Sequence, residues 1–436
     1  MAPDPGSCPA SCDVILSETE YCVLLPYSHP PTKCIFGYGS ASYPEAIPNC
    51  IMKAKSERRR PFIGDQVEDC RDASGLFYIL PFQKGYLVNW DVQKNVWDYI
   101  FGKDCCSVNF TESPLIVTEP YFNFNSIQEG MAEIFFEDYE CQGLLRINSG
   151  DLSCYKYRND KPSSLCCLLV DSGFSFTHIV PYIKGKKLKQ GIRRIDVGGK
   201  VLTNHLKEII SYRQLHVMDE TFVVNQAKED ACFVSQNFMC DMDIAKKRGT
   251  ENTIARDYVL PDYTSIKRGY MRGPDPSGLA VDGEQQTLRL NNERFTVPEI
   301  LFSPSDVGIP QMGIAEAITH SIASCPVETH PHLFANILLT GGCTLFKGFS
   351  ERLLTEVRAL APVEFDVNIM FPPDPVKYSW QGGAILSKDP EFKTLLVTKE
   401  EYEEEGYRVC ADRFDPPLTW IRKFNQGTNG SKLTII

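Results

Sequence analysis

The chain has 436 residues, 43% hydrophobic and 23% charged, with a net charge of −11. That length gives two or three domain-sized units with a core needing no staples, and the acidity excludes nucleic-acid binding by the average surface. The 17 cysteines contain no Cys-x-x-Cys pair, which argues against a zinc ribbon or redox motif and for free thiols in a reducing compartment.

Met1-Ala-Pro-Asp-Pro has no basic run, and Asp13 and Glu18 interrupt the apolar residues after it, so the start does not read as a secretory signal. No stretch reaches the ~20 apolar residues that a membrane span needs. A cytosolic or nuclear protein is expected. Residues 1–34 form an atypical segment with no sustained period, and 35–74 stay weakly patterned. Lys53, Lys55, Arg58, Arg59 and Arg60 make a basic cluster, either a localisation or DNA-facing patch or a solvated loop.

Ordered chain is expected from the strand Leu76-Phe-Tyr-Ile-Leu-Pro81. A helix after Asn89-Trp-Asp91 places Val92, Val96, Tyr99 and Ile100 on one face. Leu115-Ile-Val-Thr-Glu119 reads as a strand. Ser126-Ile-Gln-Glu129 has the spacing of a capping box, ahead of Ile127, Met131, Ile134 and Phe135 at helical spacing. Residues 165–171 and 176–183 read as a hairpin, with Lys184 to Lys189 as its exposed basic tip or the following loop. Ile195-Asp-Val-Gly-Gly199 precedes a helix with Leu202, Leu206, Ile209 and Ile210 buried. Another helix, Thr221 to Val234, presents Lys228-Glu229-Asp230 as an exposed face. Residues 271–286, rich in Gly, Pro and Asp, read as a flexible insertion. Helices at 311–324 (Ile314, Ile318, Ile322) and 348–360 (Phe349, Leu353, Val357, Leu360) flank a Thr-Gly-Gly turn. Strands alternating with helices give an α/β fold. Trp420, Ile421 and Phe424 in the tail, 416–436, are apolar enough to dock or else belong to a frayed end.

Two turns carry the chemistry. Asp171-Ser172-Gly173 ends an apolar strand: an Asp there can hold a metal through water, while Ser172 and Gly173 offer N–H donors to phosphate. The other reading is a plain hairpin turn. Thr340-Gly341-Gly342 lies between strand and helix, where bare backbone suits an anion, or else is a close-packed turn. Gly198-Gly199 shares that context.

Several segments in order resemble the actin family: Val170-Asp-Ser-Gly-Phe-Ser-Phe-Thr-His-Ile-Val-Pro181, Ile195-Asp-Val-Gly-Gly-Lys-Val-Leu-Thr203, Asn292-Glu-Arg-Phe-Thr-Val-Pro-Glu-Ile-Leu-Phe302, Leu339-Thr-Gly-Gly-Cys-Thr-Leu-Phe-Lys-Gly348, Trp380-Gln-Gly-Gly383 and Lys399-Glu-Glu-Tyr-Glu403. The resemblance covers roughly 76–415, more weakly from 35. It implies two large domains, each a mixed sheet flanked by helices, around a nucleotide cleft. The outer one would be 35–158 plus 378–415, with a small subdomain at 40–75, and the inner one 159–377.

It also implies a ligand, ATP or ADP with Mg. Asp171, Ser172, Gly173 and His178 would lie at the second phosphate loop, with Asp171 on the metal through water. Gly198 and Gly199 would lie near the phosphates, Lys228 and Glu229 beside adenosine and ribose, and Gly341, Gly342, Leu345 and Phe346 at the base.

Three departures bear on activity. The family's first phosphate loop has no counterpart in residues 1–40, where Phe36-Gly-Tyr38 resembles only the second strand of that hairpin. Either residues 11–25 supply a substitute first strand, or this domain is destabilised. Phe174 and Ser175 replace an Asp-Gly pair of the second loop. Asn148-Ser-Gly150 stands where the family has a water-orienting Gln. Binding without hydrolysis is therefore expected, with no catalytic residue and a structural role for His178.

Segments 77–90, 118–124 and 211–220 resemble a nuclear branch of the family. They imply a non-polymerising structural subunit of a SRCAP-type chromatin-remodelling complex that exchanges a histone variant into nucleosomes. Its partners would be the other subunits, including a small zinc-finger protein, with nucleosomes met indirectly. The expected location is the nucleus, with a cytoplasmic pool as the second place. The alternatives are a cytoskeletal actin-like assembly protein and a phosphotransferase of the same superfamily. The second needs a carboxylate base beside a sugar pocket, and none is visible.

Overall fold

The computed structural model describes residues 23–25, 33–53, 61–69, 77–103, 105–262, 265–273 and 285–414. The basic residues from Lys55 onward in the cluster, residues 274–284 of the insertion and the tail lie outside them.

Two sheets organise the molecule. The first has the order Val23–Leu25, Leu115–Glu119, Gly143–Asn148, Val397–Thr398, and its first three strands are parallel. All five residues of Leu115–Glu119 are buried, as a strand covered on both faces must be. Val23–Leu25 pairs residue for residue with Leu115–Val117. Of the two alternatives, a substitute first strand is the one realised: Val23–Leu25 supplies it, residues 11–22 lie outside the described ones, and it satisfies backbone groups that Leu115–Val117 would otherwise leave unpaired.

The second sheet is built on the hairpin Cys166–Ser172 and Thr177–Ile183. Ile337–Thr340 runs parallel beside Cys166–Ser172, and Ile369–Met370 follows. Arg193–Ile195 pairs with the start of Thr177–Ile183. Asp171 is thereby paired with His178 on one side and Thr340 on the other. The two turns that carry the chemistry meet at one end of one sheet. This is an α/β fold of mixed sheets flanked by helices, as the resemblance implies.

Helices close over these sheets through apolar stripes. Val92, Val96 and Ile100 of Trp90–Phe101 are buried, as are Leu202, Leu206 and Ile210 of Gly199–Arg213. Ile314, Ile318 and Ile322 of Ile314–Ala323, and Phe349, Leu353 and Val357 of Phe349–Leu360, do the same. Leu360 does not: it is 53% exposed, because the last turn has run past the core.

Other expectations are corrected. Ser126 is no cap. The helix is Asn125–Glu133, its N-cap is Phe124, and Ser126 sits exposed in the first turn. A capping box occurs instead at Thr398, whose side chain accepts from Glu401 N while Glu401 accepts from Thr398 N. Ordered structure begins well before Leu76. Lys33–Phe36 pairs with Glu45–Pro48, and Pro61–Ile63, Ile51–Lys53 and Phe77–Ile79 form a small sheet around Cys50, Met52 and Phe62. Strands of three or four residues are too short to leave a readable period. Met271, expected in the flexible insertion, belongs to the strand Tyr270–Met271 on Val259 and Tyr258. The helix from Thr221 ends at Ala231.

Among the described residues no helix is long and apolar enough to cross a membrane. The cysteines there are unpaired thiols, and all but Cys105, Cys106 and Cys240 are buried.

Candidate functional site

A cavity of about 520 Å³ opens between the two sheets' domains. Gly173, Gly199, Lys228, Glu229, Gly342, Leu345 and Phe346 all line it, and Ile35, Ala46 and residues 373–377 complete the wall. A second cavity of about 40 Å³ adjoins it, lined by Asp171 and His178 with Glu119, Ser149 and Phe176. Gly173 and Phe174 line both. The structure thus brings nine of the twelve sequence-named residues to one cleft, with Asp171 and His178 in its narrow end, while Ser172, Gly198 and Gly341 are not among the lining residues.

Three backbone segments interlock at the partition. Gly173 O accepts from Gly199 N at 3.1 Å and Phe174 O from Lys200 N at 2.8 Å. A Cβ on Gly198 would lie 2.6 Å from Phe174 O, and one on Gly341 only 2.4 Å from Ser172 O. Gly341 also has φ +89°, a region that side chains avoid. Close packing and bare backbone are therefore both real in these turns. Ser172 and Gly173 do not act as a free pair of donors, since Gly173 N bonds Phe176 O; Ser172 lies opposite Thr177, with the two hydroxyls 2.9 Å apart.

Lys228 is the main surprise. Far from an exposed face, it is 2% exposed. Its Nζ donates to Gly199 O, Thr203 Oγ1 and Asn225 Oδ1 at 2.9–3.0 Å. Burial lowers its pKa. Three neutral acceptors let the cation stay inside without a bonded carboxylate. Glu229 is exposed beside it and accepts from Asn225 Nδ2 at 2.8 Å.

At the narrow end Asp171 keeps some exposed surface, but the protein packed around it pushes its carboxyl up to about 6, with a Thr340 hydrogen bond opposing. His178 is 2% exposed, and its Nε2 meets no partner among the described residues. Burial, with Arg194 nearby, drives its pKa down to about 3. It is a neutral ring between Tyr121 and Phe176, at 5.0 and 4.4 Å.

Asn148 was named as a departure, but not its neighbour. Lys187 donates to Asn148 Oδ1 and, at 2.9 Å, to Asp151. Asn148 Nδ2 donates to Glu119 O and Pro120 O. Both polar ends of the side chain are thus bonded to protein. Lys187, expected at an exposed basic tip, is held inward by these contacts. A lysine 39 residues away leaves no local trace in the sequence.

These residues fit part of a nucleotide. The large cavity suits a nucleoside: apolar Leu345, Phe346 and Val376 with a few polar groups. The space at Asp171 holds a few waters. A hydrated divalent ion with phosphate oxygens does not fit there. Among the described residues no group of three or more His, Cys, Asp or Glu side chains is placed to hold a metal.

Comparison with known proteins agrees with this architecture. The actin family profile matches residues 32–415. The chain is 48% identical over 382 residues to actin-related protein 6 of Drosophila melanogaster, covering 86% of this chain and 96% of that one. It is 38% identical to actin-related protein 6 of Arabidopsis thaliana, covering 84% and 93%. With the actin-like protein of Yarrowia lipolytica bearing the same number, identity is 38% over 84% and 92%. The chain belongs to the actin family.

Proposed function

We propose that the chain is a non-polymerising nuclear actin-related protein, a structural subunit of a SRCAP-type chromatin-remodelling complex that exchanges a histone variant into nucleosomes. Another subunit supplies the ATPase motor. The chain itself is no enzyme: it grips an adenosine nucleotide as a stabilising ligand and displays surfaces to partners, a small zinc-finger protein among them. It meets the nucleosome through those partners and supports transcription regulation.

The observation that carries the non-enzymatic part is the narrow end of the cleft. Phe174 stands in the partition, His178 is neutral with no general-base partner bonded to it, and both polar ends of Asn148 are engaged. Hydrolysis needs a positioned water and a base within hydrogen-bond reach. The nuclear part is supported by segments 77–90, 118–124 and 211–220, which resemble a nuclear branch of the family.

Affinity purification of the tagged full chain from nuclei, with mass spectrometry and an ATPase assay, tests both parts. The expected result is co-purification with remodelling subunits and no turnover above background. Recovery without any such subunit sinks the complex assignment. Turnover at conventional-actin rates, abolished by His178→Ala, sinks the structural role.

A further inference from the structure

The two cavities of the cleft are unequal in a way that selects a ligand. The large one has four charged lining residues, Lys228, Lys377, Glu229 and Asp374, two of each sign. Lys228 Nζ already serves three protein oxygens. Lys377 Nζ lies 3.7 Å from Asp374. The described lining therefore has no surplus positive charge for a polyphosphate, and Ile35, Ala46 and Phe174 add apolar surface. Charge buried without a partner is disfavoured.

Phe174 decides where the ligand stops. It is 8% exposed and lines both cavities, and its Cδ2 lies 3.2 Å from where a Gly199 Cβ would be. The ring thus stands between the nucleoside-sized space and Asp171. Beyond it only about 40 Å³ remains. Gly199 N and Lys200 N hold the backbone of the turn from behind, donating to Gly173 O and Phe174 O. The backbone that carries the ring is thereby braced.

We infer that the cleft binds a purine nucleoside end, as in adenosine or ADP, without a divalent metal, and that a γ-phosphate adds nothing to affinity. The inference deepens the nucleotide reading above and rests on it. Phe174 is the specificity-determining residue: it replaces recognition of a metal–triphosphate with recognition of the nucleoside alone. Such a ligand persists whatever the ATP-to-ADP ratio, as suits a structural clamp.

The test is calorimetric titration of the full chain, stripped of nucleotide, with adenosine, ADP and ATP, each in magnesium and in EDTA. The three affinities should agree within about threefold and shift less than about twofold with EDTA. An advantage of about tenfold or more for ATP in magnesium overturns the inference. So does failure of all three to bind, which leaves the complex assignment to its own purification test.

Two variants locate the effect. Phe174→Asp with Ser175→Gly should raise ATP over ADP by at least about fivefold in magnesium. Leu345→Glu, on a side chain that is 56% exposed and lines the large cavity, should weaken all three ligands by about tenfold. Circular dichroism confirms that each variant is folded. Parent-like selectivity in the first, or parent-like affinities in the second, overturns the role given to the partition or to the cavity.

Discussion

Asp171 and His178 face each other across the central hairpin, and burial moves their pKa values in opposite directions. His178 falls from 6.5 to about 3, so the unfolded chain binds a proton that the native ring refuses. Its contribution is complete above the unfolded value and is lost as pH falls below 6.5. Asp171 rises from 3.8 to about 6, so the native chain holds the extra proton. Its contribution is present below the unfolded value and is lost as pH rises through about 6. Between about pH 4 and 6 the two slopes oppose each other. His178→Phe removes one slope and keeps ring contacts with Tyr121 and Phe176. From about pH 7.5 to about pH 5 the parent should lose about 2 kcal/mol relative to this variant. The variant itself should gain about 1 kcal/mol from Asp171. Urea denaturation at several pH values reads both. A constant difference between the two proteins would mean that His178 titrates normally.

Two Ser/Thr-x-x-Glu spacings separate local pattern from realised structure. At Ser126 the chain is already helical, because Phe124 O accepts from both Ile127 N and Gln128 N. At Thr398 an extended residue precedes the helix and the reciprocal bonds form. Thr398→Ala should cost about 1 kcal/mol, while Ser126→Ala should stay within about 0.5 kcal/mol, both by urea denaturation. Equal losses would contradict the assignment. The same contrast explains what was legible in the sequence. Strands such as Ile337–Thr340 announce themselves because every side chain is buried, and helices because their stripes repeat. The site's turns were legible for a related reason: apolar runs that stop at glycine. Lys228 was not legible, since its acceptors include Gly199 and Thr203, 29 and 25 residues earlier. Nor was the tether of Lys187 to Asn148, or the wall made by Phe174. Each arises where separate elements meet, and no local pattern encodes it.

Contacts across the cleft set the state of the whole molecule. Tyr78, in the small sheet, stacks on Phe222 of the helix Thr221–Ala231 with centroids 5.7 Å apart. Arg194 bonds Tyr86 Oη and lies over the rings of Tyr86 and Phe176, at 5.2 and 4.4 Å. Phe176 packs so tightly on Gly85 that a Cβ there would lie 2.0 Å from Cε1. Gly85 also has φ +74°, so neither its conformation nor its neighbour admits a side chain. These contacts join residues 78–86 to residues 176–222 across the cleft. A ligand entering a closed clamp gives little further compaction, because it cannot shift an equilibrium that already lies to one side. Small-angle scattering of the ligand-free parent and of its ADP complex should therefore give the same radius of gyration. Removing the bridges with Phe222→Ala and Tyr86→Ala should expand the ligand-free molecule, and ADP should then contract it, because binding energy replaces the lost contacts. Contraction of the unmodified chain on ADP would show that the ligand, and not the aromatic bridge, closes the cleft.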